Sequence, residues 1–194
     1  MTRARVLKSE GRRRWRARAL LTIVCAWGFG GSAGAQSPRD SDVEAAYLFN
    51  FAKFMHAPAH SADSFTIAVV GKNPIGQTLG TLTANEQIDG RPLKIVQVTS
   101  ADQARNYDIV FLSESEIPRM DKDLAALAGS NALTVSNMPD FVQRGGMIQF
   151  QVVNNRVRFL VNLDAASKAK ITLSSELLKV AMGVIGSAST EVQP

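Results

Sequence analysis

The sequence has a single cysteine, Cys25, and only two histidines, His56 and His60. Tyrosine and tryptophan occur twice each. These scarcities exclude whole classes of chemistry. One cysteine cannot form an internal disulfide or a multi-cysteine metal site. Two histidines with no serine partner in a G-x-S-x-G context give no hydrolase signature. No apolar run reaches the roughly 20 residues of a membrane-spanning helix. Internal repeats and low-complexity tracts are also lacking.

Positive charge is abundant, but it is unevenly placed. The formal net charge is +5. Residues 1–35 hold eight basic residues and one acid, Glu10, a net of +7; the rest of the chain nets −2. The basicity therefore belongs to the first 35 residues, and a nucleic-acid or anionic-lipid partner is not expected for the remainder. Met1–Arg18 is a basic n-region, Ala19–Phe29 an apolar h-region, and Ala33-Gly34-Ala35 an A-x-A cleavage pattern. That order defines a secretory signal peptide, cut after Ala35. Eleven apolar-leaning residues span about 16 Å as a helix, against a hydrocarbon core of roughly 30 Å. Cleavage would also remove Cys25, leaving an exported domain that folds on packing alone.

Residues 36–40 read as a short polar linker, 41–186 as one domain and 187–194 as a flexible tail. Ser41-Asp42-Val43-Glu44 has the pattern of a capping box, with Ser41 as N-cap of a helix over 42–55. Phe65–Val70 is a β-branched run ending at Gly71, and so a buried strand. Asn73-Pro74 reads as a helix start, running to about Leu82. Strands are expected over 93–98, 108–112, 132–135, 146–152 and 157–161. The last two are joined by Asn154-Asn155, a pair that tolerates the positive φ of a tight hairpin. Helices are expected over 118–128, 164–170 and 174–182, with one helical turn at 139–143. The order predicts an α/β fold: a single domain with a mixed β-sheet, helices on both faces and a late antiparallel hairpin.

Four features invite a functional reading. Gly71–Thr78 follows a strand and opens a helix, so its backbone could hold an anion, although an ordinary capped turn is the simpler account. His56 and His60 have i, i+4 spacing, but Pro58 between them argues against a metal pair. Arg156, Arg158, Leu160 and Asn162 share one face of the hairpin, either a solvated edge or a contact surface. The helix over 42–55 carries Tyr47, Phe49, Phe51 and Phe54 on more than one side, as core packing or a partner face requires.

Six blocks occur in order: Ala46-Tyr47-Leu48-Phe49-Asn50-Phe51-Ala52-Lys53-Phe54, Asp108–Ser113, Leu133–Ser136, Gly145–Ile148, Asn154–Phe159 and Ser174–Leu178. Together they resemble the YfiR family of periplasmic proteins. The resemblance implies an α/β regulator that is not an enzyme and carries no cofactor and no metal. It would restrain a membrane-bound diguanylate cyclase through that enzyme's periplasmic sensor domain, lowering cyclic di-GMP and biofilm formation. An OmpA-like outer-membrane lipoprotein is a further partner in the family, and homodimers occur. On this reading the partner-binding residues are Arg156, Arg158 and Asn162 on the hairpin, with Asn50, Lys53 and Phe54 on the first helix. The competing reading is a periplasmic small-ligand sensor. Three departures stand out. Tyr107 and Asp108 occupy the place of a Cys-His pair found in many relatives, so disulfide control is not expected. Ala57-Pro58 replaces a Trp-Pro step, and Leu160 replaces an often acidic residue.

Overall fold

A computed structural model describes residues 38–58 and 63–186. The first helix, α1, runs from Pro38 to Phe54. It starts three residues before Ser41, so Pro38–Asp40 are helical and not a linker. Proline is well tolerated in a first helical turn, and Asp40 adds the acid that the helix dipole favours there. The leader, His60 and the tail lie outside the described residues.

Eight strands form one sheet, in the order β10-β8-β7-β6-β5-β2-β4-β3. The strands are β2 (Phe65–Val70), β3 (Gln87–Ile88), β4 (Arg91–Val98), β5 (Ile109–Leu112), β6 (Leu133–Ser136), β7 (Ile148–Val153), β8 (Arg156–Asn162) and β10 (Gly183–Ile185). Five neighbours, β4-β2-β5-β6-β7, pair in parallel. β7 and β8 form an antiparallel hairpin. Asn154 and Asn155 close it with φ of 50° and 59°, the left-handed pair that a two-residue hairpin turn demands. Short strands β1 (Met55–His56) and β9 (Thr172–Leu173) pair separately.

Every side chain of β2 and β5 is buried. That matches their unbroken apolar runs, since a central parallel strand is covered on both faces. On one face lie α1, α2 (Gly76–Leu82), α4 (Leu163–Lys168) and α5 (Ser175–Val180), sharing a core with Ile67, Val69, Phe111, Phe150 and Phe159. On the other face, a 3-10 turn at Ala101–Ala104 and α3 (Met120–Leu127) pack over Ala68, Val70, Val110 and Leu112. Tyr47 and Phe51 of α1 anchor the first core. Their rings lie 5.2 Å and 5.1 Å from that of Phe159, both edge-on, and Phe51 stacks on Phe150 at 5.8 Å.

Several local expectations give way to context. α2 begins at Gly76 rather than Asn73, and Ile75 at its N-cap makes no side-chain cap. The helix expected from Pro118 is a 3-10 turn, Glu114–Arg119, followed by α3. Residues 139–145 form successive turns and no helix; Asp140 has φ 58°, which a right-handed helix cannot contain. The last helix stops at Val180, and the chain then adds β10 beside β8.

Candidate partner-docking surface

The predicted contact residues divide between two faces of the sheet. α1 packs on the face that carries Val157, Phe159 and Val161 of β8. Its outward side, with Asn50 and Phe54, meets the start of α5. Between them lies a groove of about 270 Å³, lined by Tyr47, Asn50, Phe51, Phe54, Phe159, Glu176, Leu177 and Val180. Its floor is aromatic. Its rim is apolar and wet: Phe54 is 40% exposed and Val180 57%.

The groove has a fixed mouth. Ser174 caps α5 by accepting from the Leu177 N–H at 3.3 Å, and its own N–H donates to the Phe54 carbonyl at 2.9 Å. The end of α1 is thereby tied to the start of α5. Glu176 sits in the first turn of α5. Its carboxyl is held below the usual range by its own backbone N–H, then by the Ser174 and Ser175 hydroxyls. The site thus combines an aromatic floor, an amide at Asn50 and a carboxylate that stays ionised.

Lys53 points elsewhere. Its ammonium stands 3.8 Å above the Phe49 ring and 4.0 Å from Glu86. Arg156 and Arg158 lie on the opposite face of the hairpin, across from Val153 and Gln151. Both are exposed. β8 is an open edge only over its first half, because β10 pairs with Leu160, Val161 and Asn162. Asn162 is committed to the fold. Its Oδ1 accepts from the Ala165 N–H at 2.9 Å, capping α4, and its Nδ2 donates to the Val142 carbonyl at 2.9 Å.

Glu176 and Val180 were not singled out from the sequence. A helical face in a six-residue helix is too short to show by periodicity, and only the docking of α5 onto α1 makes these residues part of a site. Exposed apolar side chains continue into Met182, Val184 and Ile185, at 41%, 42% and 37%.

No group of three or more His, Cys, Asp or Glu residues suited to a metal occurs among the described residues. His56 is exposed on β1. Glu116 is buried against Arg119, whose guanidinium it raises by a side-chain hydrogen bond and by charge.

The topology and this surface define a class: an α/β domain of the doubly wound kind that offers an apolar, acid-rimmed groove. The chain belongs to the YfiR/HmsC-like family, DUF4154, whose model matches residues 41–182. That membership bears out the resemblance carried by the six sequence blocks. No curated protein matches the chain. Among solved structures, a conserved domain protein from Vibrio cholerae O1 biovar eltor is similar at 11% identity and a TM-score of 0.52, over 75% of this chain and 60% of its own. The ABC domain in complex with L-Trp from Streptococcus pneumonia matches at 13% identity and a TM-score of 0.47, over 66% of this chain and 57% of its own. The chain thus spans under two thirds of each of these structures, and the first likeness concerns fold alone.

Proposed function

We propose that this protein is an exported, periplasmic repressor that restrains a membrane-bound diguanylate cyclase by binding its periplasmic sensor domain. The α1–α5 groove is its main contact. The family match over 41–182 supports the regulatory reading, and the groove is the observation that carries the contact. A pocket with an aromatic floor and apolar rim is the kind of place where a partner's anchor side chain is buried and binding energy concentrates. Glu176 at the rim favours an anchor flanked by a basic residue. Arg158, on the other face, provides a second, electrostatic contact. An OmpA-like lipoprotein that captures the same groove would release the cyclase. No helix among the described residues is long and apolar enough to cross a membrane.

The test is genetic and biochemical. Deleting the gene should raise cellular cyclic di-GMP, and restoring it should lower the level. The purified protein should co-purify with one inner-membrane protein that carries a cytoplasmic cyclase domain. Unchanged cyclic di-GMP in the deletion strain would overturn the reading.

A further inference from the structure

The order of the parallel strands reverses between β2 and β5. From β2 the chain passes to α2 on the α1 face, with Ile75 and Leu79 in that core. From β5 it passes to α3 on the other face, with Met120 and Leu127 in the second core. The two exit loops therefore diverge, and a crevice opens at the carboxyl ends of the strands. Such reversal points are where doubly wound sheets take up ligands. Here the crevice measures about 310 Å³ and is lined by Lys72 and Pro74 from the first loop and Ser113, Glu114 and Ser115 from the second. That volume is at the lower end of ordinary ligand pockets, about 300–1,000 Å³.

The walls are built rather than loose. The Lys72 N–H donates to Ser115 Oγ at 2.9 Å, and Ser115 Oγ donates to Glu116 Oε1 at 3.2 Å. Gln97 Nε2 donates to the Gly71 carbonyl at 3.0 Å. Gly71 has φ +86°, and a Cβ there would lie 2.4 Å from Ser115 Oγ and 2.5 Å from Glu116 Oε1. Only glycine lets the loops close to this distance.

Two opposite charges face this space, one from each loop. Lys72 and Glu114 are exposed, and neither forms an ion pair among the described residues, with each other or with another group. Glu116, two residues on, is by contrast bound to Arg119. An ammonium and a carboxylate contributed by opposite loops of one small slot complement a solute that carries both charges. We propose that this crevice binds a small dipolar solute of the amino-acid or betaine type. Lys72 would hold its carboxylate, Glu114 its cationic group, and the serine-lined wall its polar middle. The crevice is separate from the α1–α5 groove, so this binding stands or falls independently of partner docking.

The experiment is an amide NMR titration of the purified protein with glycine, L-alanine and glycine betaine, using acetate and methylamine as singly charged controls. The dipolar solutes should shift the amides of Gly71, Lys72 and Ser113–Ser115 saturably, and about tenfold or more tightly than either control. K72M and E114Q should each weaken that binding about tenfold while leaving the rest of the spectrum in place. The proposal is overturned if no dipolar probe shifts these amides, if both variants bind as the parent does, or if the singly charged controls bind equally well.

Discussion

Arg91 Nη2 lies 2.9 Å from Asp108 Oδ1, while Asp108 Oδ2 accepts the Thr66 N–H at 2.8 Å. Three strands are fastened at one end by this carboxylate, since Arg91 opens β4, Thr66 belongs to β2 and Asp108 precedes β5. Arg91 also covers the Phe65 ring, 5.1 Å from its centroid. Asp108 stands in the stretch where the family resemblance places a Cys-His pair in many relatives. Here a part-buried ion pair serves that end of the sheet, and it does not respond to redox state.

Replacing Asp108 with Ala should cost about 2–4 kcal/mol, because it strands a guanidinium and a buried backbone N–H together. Arg91 keeps about a fifth of its side chain in solvent, which holds the loss below that of a fully buried pair. Urea denaturation measures it. A loss under about 0.5 kcal/mol would show the clasp to be decorative.

Phe54→Glu should abolish or strongly weaken partner capture in a membrane pull-down. Its effect on stability should stay near about 1 kcal/mol, because Phe54 is already 40% exposed at the rim of the groove. Val180→Glu should act in the same direction.

Arg158→Glu tests the opposite face. A rim charge acts mainly on association rate, so the variant should bind more slowly, with a weaker salt dependence and a nearly unchanged Tm. Surface plasmon resonance at two ionic strengths separates this from loss of the groove.

Asn162→Ala should destabilise the fold by about 1–2 kcal/mol, through loss of the α4 cap and of the Val142 hydrogen bond. Any loss of partner binding should follow the fraction unfolded. Binding lost at full folding would make Asn162 a contact residue as well.

Asp123 is 4% exposed, and its Oδ2 has no hydrogen-bond partner among the described residues. Burial pushes its carboxyl up, Arg119 opposes this, and Glu116 adds to the rise. The folded protein therefore holds this proton to a higher pH than the unfolded chain does. Stability falls as pH rises from about 4 through the folded value, and the penalty persists at neutral pH. Asp123→Asn should raise Tm at pH 7 and flatten that part of the stability profile, as calorimetry across pH would show.

Much of the fold was legible in the sequence because it is written locally. The apolar runs Phe65–Val70 and Ile109–Leu112 announce central strands, and Asn154-Asn155 announces the hairpin. Tyr47 and Phe51 fall at helical spacing and do enter the core. The misjudged places are those where distant contacts outweigh local pattern. Asn73-Pro74 resembles a helix start, yet Asn73 instead packs against Gly76, leaving α2 to begin later. Gly183–Ile185 is too short to read as a strand, and only the free edge of β8 recruits it. Of the six residues expected to contact a partner, the hairpin alternation correctly placed Arg156 and Arg158 on one face. Nothing in the chain order could show that α1 lies against the other face.

By itself the sequence determined the α/β class, the charge division between residues 1–35 and the rest of the chain, and the lack of thiol chemistry beyond Cys25. These follow from composition and short-range periodicity, which need no knowledge of what lies across the molecule. Only the tertiary structure decided that Asn50 and Phe54 share a groove with Glu176 and Val180, that Asn162 is committed to a helix cap, and that Lys72 and Glu114 face one crevice. Each of these joins residues from separate elements. Their meeting depends on strand order and helix docking, and so on the balance of burial over the whole core rather than on any local preference.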